Sequence, residues 1–430
     1  MLRLFLIVAL FLCPHAYGLD STILLEADQA WHKDQRQKTE LEFLWEMDHA
    51  LSQTVSLTSI VRSRIHGPDR FDPGQPDQPA VAPASQRHHI GDNVEIELRE
   101  LYADIRLPAG NLRLGKQQIV WGQADGLKLL DVINPQDFRE FILDDFEDSR
   151  IPVWTLNLEL FLDEGDLQLV WIPDTSRHNL PPAGATYGLT APFASIPADQ
   201  PFRIEAIDRP NNAIEDGTWA TRFSTFRAGW DITLNYLYRY NDLPVIRKNT
   251  NVDGSLLLSP GYERTHTLGG SLSKAFGDFI FRSEVAVNGS VYFDTKNILP
   301  GEGVDRTKEL GYVMGLDWSG ISSTLISAQI FQSILIDHDL GQNRFARDKV
   351  DTTLTLLVRR DFWNESLVAD VLWIYHTNDN DQLVRLKVDY EWSSQLMVGL
   401  YADWFAGSAD ELFGQYDNRD QIGLRLQFGF

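Results

Sequence analysis

The sequence predicts an all-β fold: a single transmembrane antiparallel β-barrel of about eighteen strands (or about sixteen) with an infolded loop. Three observations carry this expectation. Apolar and polar residues alternate with a period of two through segment after segment. Tight turns and long polar connections alternate between those segments. No stretch after the leader approaches the apolar length that a membrane-spanning helix needs.

Residues 1–18 read as a secretory signal peptide. Arg3 supplies the basic start, Leu4 to Cys13 the apolar run, and Ala16-Tyr17-Gly18 the small-residue cleavage site. Cys13 is the only cysteine, and Leu12 before it does not suit a lipoprotein site, so a chain starting at Leu19 has neither disulfide nor thiol chemistry. Residues 19–430 then form the barrel. With 61 Asp and Glu against 38 Lys and Arg, the net charge of −23 argues against nucleic acid as a partner.

The alternation is explicit in TELEFLWEM, where Leu41, Phe43, Trp45 and Met47 oppose Glu40, Glu42 and Glu46. In QLVRLKVDYEW, Val384, Leu386, Val388, Tyr390 and Trp392 oppose Arg385, Lys387, Asp389 and Glu391. A helical period would scatter these side chains; a strand sorts them onto two faces. Leu386 is expected to face lipid, and Arg385 to face the lumen, where its loss would cost little. Segments of this kind begin near Asp20, Lys38, Thr54, Asn93, Asn111, Arg150, Asp166, Thr218 and Trp230. The others begin near Gly261, Asp278, Glu309, Ile321, Asp348, Asn364, Gln382, Gln395 and Arg419.

Tight hairpin turns fall at PAGN (108–111), DEGD (163–166), AGWD (228–231), FGD (276–278), SGIS (319–322) and SSQ (393–395). Long connections fall at 66–92, 122–149, 173–217, 241–260, 289–308, 337–347 and 406–418. A barrel with short periplasmic turns and longer outer loops has this form, and an even strand count puts both termini on the periplasmic side. Trp230, Trp318, Trp363 and Trp392 sit beside short turns, where an interfacial aromatic girdle belongs. The closing QIGLRLQFGF puts Ile422, Leu424, Leu426, Phe428 and Phe430 on one face, as the last strand of a closed barrel. It resembles the C-terminal signature of bacterial outer-membrane proteins. That resemblance implies that Phe428 and Phe430 form the signal read by the barrel-assembly machinery.

The stretch 97–152 is different in kind. Arg99-Glu100, Tyr102 and Asp104 are followed by Leu112, Arg113, Gly115, Lys116, Gln117, Trp121 and Gly122. Then come Asp125, Gly126, Leu127, Asp131, Val132, Asn134, Pro135, Asp137, Arg139 and Glu140. These motifs resemble the domain-of-unknown-function 1302 family of bacterial outer-membrane β-barrel proteins. A weaker similarity joins the lysine-containing strand to the GRQ strands of alginate-export-type porins. The resemblance implies an outer-membrane barrel of a Gram-negative bacterium, near systems that handle hydrophobic compounds; it supplies no substrate.

Glu100, Tyr102, Asp104 and Arg106 on one strand, and Arg113 and Gln117 on its hairpin partner, are candidate lumen-facing residues. They are either plain wall or a selecting surface. The apolar face switches phase between Leu98 and Leu101, which predicts a bulge. Residues 122–149 are too apolar for water: Leu127, Leu129, Leu130, Val132, Ile133, Phe138, Phe141, Ile142 and Phe146 must bury themselves, either inside the barrel as a constriction or plug, or as an outer lid. A short helix is expected from Asp137 onward, after Pro135. Asp144, Asp145, Glu147 and Asp148 read as an acidic constriction lining rather than a metal site, since ligand spacing is lacking. In a narrow pore they would favour cations. The Pro-rich stretch 67–86 reads as extended, mobile and without a packed core.

No nucleophile elbow, zinc-protease motif or phosphate loop occurs, so neither catalytic residue nor cofactor nor metal is assigned, and the protein is not read as an enzyme. The expected function is an outer-membrane channel for small or moderately hydrophobic molecules, by diffusion or as the outer component of an export route. Energised uptake is disfavoured because the strand pattern starts almost at Leu19. The alternatives are a barrel-type hydrolase, whose Ser/His pair would meet only in space, and a structural or adhesive barrel acting through its loops. Expected partners are outer-membrane lipid and lipopolysaccharide, the barrel-assembly machinery, and periplasmic or inner-membrane export components.

Overall fold

The computed structural model describes residues 19–430 apart from 34, 68–70, 72, 74–77, 183, 189–200, 208, 252, 296–301 and 339–345. The expected signal peptide, 1–18, lies outside the described residues. Eighteen long strands form the wall: β1 (Leu19–His32), β2 (Gln35–Ala50), β3 (Val55–His66), β4 (Val94–Leu107), β5 (Gly110–Gln117), β6 (Val153–Leu162), β7 (Gly165–Ile172), β8 (Thr218–Arg227) and β9 (Trp230–Tyr240). They continue with β10 (Arg264–Phe276), β11 (Phe279–Asp294), β12 (Val304–Trp318), β13 (Thr324–Leu335), β14 (Val350–Phe362), β15 (Leu367–His376), β16 (Asp381–Ser393), β17 (Leu396–Ala406) and β18 (Gln421–Gly429). Each pairs antiparallel with its sequence neighbours, and β18 pairs with β1 from Leu24↔Gly429 to Trp31↔Ile422. Phe430 extends the seam, exchanging backbone hydrogen bonds of 2.9 and 3.0 Å with Ile23. The sheet is a closed barrel, so no strand edge is left unpaired.

The wall is inverted relative to a soluble sandwich. On β9, Thr233, Asn235 and Leu237 are buried inside while Leu234 and Tyr236 point outward, Leu234 being 62% exposed. On β10, Thr265, Thr267 and Ser271 are buried, and Leu268 is exposed. Ile422, Leu400 and Trp219 extend this apolar outer surface. Water does not tolerate so large an apolar surface; lipid does.

Connections at one end are two to five residues long, and both described ends of the chain lie there. Trp230, Trp318, Trp363 and Trp392 all sit at that end. Trp230 packs on Phe276 and Phe281, Trp318 on Phe279, and Tyr390 on Trp363 and Trp392.

The opposite end carries the loops, and here the structure adds three features. Within 173–217 and 241–263, Phe202–Ile204, Val245–Thr250 and Leu256–Gly261 form a small accessory sheet. The expected loop 289–308 is shorter, because β11 runs on to Asp294 through a register shift between Asn288 and Val291. The stretch 67–86 is not without a core: Phe71, Val81, Ala82 and Ser85 are buried. The Ala82 amide donates to Ser176 Oγ at 2.9 Å and the Arg177 amide to the Ala80 carbonyl at 2.7 Å. The Pro-rich composition hid a few side chains that pack on the neighbouring loop.

Candidate functional site

The connection 118–152 leaves the loop end and folds into the barrel, where it touches the wall on nearly every side. Its first residues lie against β6–β9: Trp121 is buried among Val153, Val170, Ile172, Ala220 and Leu237, with its ring N–H donating to Gln168 at 2.8 Å. The chain then crosses to β11–β13. The Glu284 carboxylate accepts the amides of Ala124 and Leu130, each at 3.1 Å, and that of Gln123. Asp125 pairs with Arg282, which also reaches Asp317 at 2.9 Å, and Gln329 donates to Asp125 at 3.1 Å. Arg282 lies near the turn end of its strand and Gln329 midway along its own, so the loop descends at least to the middle of the barrel.

Two wall glycines make room for it. A Cβ on Gly269 would lie 2.6 Å from Leu130 Cδ2, and one on Gly311 would lie 2.7 Å from Leu129 Cδ1. Backbone and side chain pack that closely only where no Cβ intervenes.

Asn134 closes the loop's neck. Its Oδ1 accepts the Ile119 amide at 2.7 Å, and its Nδ2 donates to the carbonyls of Ile151 (3.0 Å) and Gln117 (3.3 Å). Arg150 binds Asp131 at 2.7 Å. The returning arm docks on β2–β4. Arg139, 1% exposed, binds Glu40 on β2 at 2.5 Å and its neighbour Glu140 at 2.9 Å. Glu140 binds Lys38, and Asp137 binds Arg87 at 3.1 Å. Arg99 is the extra residue of a bulge, since Ile60 faces Glu100 while Val61 faces Leu98; its guanidinium donates to the carbonyls of Glu147 and Arg150. The predicted phase switch is therefore a built device: it turns one arginine onto the loop. Phe141 completes the docking, packed on Phe405, Phe413 and Tyr416.

The expected short helix forms later than Asp137, at Phe146–Ser149, because 136 and 137 are held in bridges to Arg150 and Asn179. The acidic end bridges two parts of the wall. Asp145 pairs with Lys387 on β16, and Asp148 lies 3.5 Å from Arg62 on β3; Glu147 is exposed. The four acids are therefore not four free charges. Burial, with the Glu140 carboxylate close by, pushes the half-buried Asp144 carboxyl up to about 7. Asp144 and Asp145 line a cavity of about 250 Å³ with Asp125, Asp370, Arg385 and Lys387.

Of the hairpin candidates, Asp104 and Arg113 face each other and form a two-pronged ion pair at 2.7 and 2.9 Å, with the guanidinium 4.2 Å over the Tyr102 ring. With Arg106 they border a second cavity of about 580 Å³ at the turn end. Glu100 is half-buried, higher on the same strand. Gln117 is not a lumen-lining group: it is wholly buried beneath the loop and bonded to Asn157, because the neck crosses directly over it. Arg385 is not an idle lumen charge either; it binds Asp403 at 2.9 Å and the carbonyls of Ile142 and Leu143. Sequence reasoning missed Lys38, Glu40, Arg62, Arg282 and Glu284 as partners of the loop. Their only signal was a charged residue at an inward position of the alternation.

The profile of the family described as "protein of unknown function (DUF1302)" matches residues 48–430. The chain belongs to that family. Its motif residues Arg99, Asp131, Asn134, Asp137, Arg139 and Glu140 are the ones that hold the infolded loop in place. No curated protein matches the chain in sequence. Among solved structures, the barrel is similar to three porins. Pseudomonas aeruginosa OpdK, solved with vanillate, is 12% identical over 96% of this chain and 98% of that one, with a TM-score of 0.51. Pseudomonas aeruginosa OccK8 (OprE) is 12% identical over the same shares, with a TM-score of 0.52. Acinetobacter baumannii OccAB3 is 8% identical over 96% and 99%, with a TM-score of 0.52. At these identities the likeness is one of fold.

Proposed function

We propose that this DUF1302 protein is an outer-membrane channel for small or moderately hydrophobic molecules, working by diffusion or as the outer component of an export route. The observation that supports it is the loop 122–149, pinned across the lumen between β2–β3 on one side and β11–β16 on the other. A barrel filled only to hold itself together would need no such crossing; a pore needs a narrow section. The short-turn end with its aromatic girdle faces the periplasm in this reading, with both termini there, and lipid and lipopolysaccharide surround the apolar band. Phe428 and Phe430 serve as the assembly signal. No catalytic role is assigned to the chain.

The selective surface in this reading has two parts. Asp104, Arg113, Tyr102 and Arg106 border the turn-end mouth. Glu147 and Asp144 supply the negative charge that Arg62 and Lys387 leave unneutralised at the loop, so cation preference is modest and grows with pH. Single-channel recording of the purified protein in planar bilayers tests the proposal. Discrete openings with a small unit conductance are expected; a barrel that never conducts would refute it.

A further inference from the structure

At the loop end, above the infolded loop, lies a cavity of about 600 Å³. Phe138 and Phe141 form its floor, and Leu180, Leu243, Tyr292 and Leu412 contribute from four other parts of the loop end. Leu243 and Leu412 are 45% and 43% exposed. On the wall strands an exposed leucine such as Leu234 or Leu268 faces lipid. These two belong to connections at the loop end and line a half-open space instead. Apolar side chains gathered from separate loops around one space are costly in water and favourable around an apolar occupant.

The charges at the rim are already engaged. Asp294 pairs with Lys248 at 3.1 Å. Arg347 donates to Ser333 at 3.0 Å, lies 3.7 Å from Glu309 and sits 4.8 Å over the Phe293 ring. Neither offers an uncommitted charge to an ion. Tyr187 contributes to the floor, and its hydroxyl is shut off from the space, on the side of Asp403 and Glu140. The volume falls in the range of small-molecule sites, which are mostly apolar with few polar groups.

We infer that this vestibule is a binding site for a neutral, largely apolar small molecule. The cavity holds such a molecule at the mouth, above the cluster of Phe141, Tyr187, Phe405, Phe413 and Tyr416 that closes its floor. The inference deepens the channel reading by naming a class of solute and rests on that reading for the solute's onward route; binding itself does not require conduction.

The test uses the full protein in lipid nanodiscs and two fluorescent probes. One is prodan, which is neutral, apolar and bears one carbonyl; the other is toluidinonaphthalene sulfonate, which is similar in size but anionic. Empty nanodiscs supply the lipid background. Prodan is expected to bind saturably at one site per chain and at least tenfold more tightly than the sulfonate. Leu243→Asp and Leu412→Asp place a carboxylate in the cavity from exposed positions, and each is expected to weaken prodan at least tenfold while the barrel still folds, checked by heat-modifiable mobility. Binding no greater than to empty nanodiscs, equal affinity for both probes, or no loss in either variant would overturn the inference. Conductance of the same samples separates the two proposals: binding without openings defeats the channel reading alone, and openings without binding defeat the vestibule site alone.

Discussion

The Lys38 ammonium, on the second wall strand, lies 2.9 Å from the Glu140 carboxylate on the infolded loop and 3.1 Å from Asp28 on the first strand. All three side chains are nearly inaccessible to solvent. The pair joins the wall to the obstruction, and around it Arg139, Glu40, Arg64, His66 and Glu95 form one continuous buried network. Removing one member of a buried pair leaves the other without compensation.

Lys38→Met is therefore expected to destabilise the barrel by about 3–5 kcal/mol in urea unfolding from lipid vesicles. The double variant Lys38→Met/Glu140→Met is expected to recover part of that loss. Equal stability of wild type and Lys38→Met would mean that the pair does not hold the loop.

Face polarity gives a second expectation. Leu386→Arg puts a charge on the lipid-facing side of β16 and should cost about 2–4 kcal/mol. Arg385→Leu, one residue away, should also cost about 1–3 kcal/mol, because Asp403 and two loop carbonyls lose a donor. The sequence alone suggested that the second change would be mild. The same unfolding assay checks both; a neutral Leu386→Arg would reverse the assignment of inside and outside.

Much of this was legible because a period of two is a local property. The strand starts read from alternation fall within about five residues of those observed, and the bulge at Arg99 announced itself as a change of phase. The apolar composition of 122–149 required burial, and the loop is buried. What alternation does not encode is which inward charge meets which loop residue. Lys38 and Glu140 are 102 positions apart, and Gln123 and Glu284 are 161 apart. Those pairings depend on the path of the loop, as does the burial of Gln117 beneath its neck. The accessory sheet escaped notice because its three strands are short and lie inside polar connections.

Assembly offers a third test. Deleting Phe430, or changing it to Asp, removes a terminal aromatic from the seam with β1 and should lower the folded, heat-modifiable fraction in membranes without blocking export. Unchanged mobility and abundance would dismiss the terminal signal.

The Asp144 carboxyl gives a pH dependence. It is held near 7 in the folded chain, against about 3.9 for an unperturbed aspartate. Folded protein keeps this proton where unfolded chain has released it. The group therefore costs nothing below about pH 4, and the native state loses stability progressively as pH rises from about 4 to about 7. Asp144→Asn should be more stable than wild type at pH 8 and no more stable at pH 3.5. In the channel, the cation-to-anion permeability ratio of wild type should rise in a step centred near pH 7 that Asp144→Asn lacks. A flat ratio from pH 5 to 9 in wild type would place this carboxyl away from the conducting path.

The central claim is that the loop narrows the lumen, and single-channel conductance of a variant lacking Leu127 to Asp148 tests it most directly. The deletion removes the crossing segment, with the Asn134 and Asp131 contacts of the neck, while sparing the wall strands. Conductance is expected to rise several-fold in moderate salt, with selectivity shifted away from cations and the shift shrinking near 1 M, where charges are screened within roughly 3 Å. Conductance and selectivity equal to those of wild type would place the loop outside the conducting path and contradict the account.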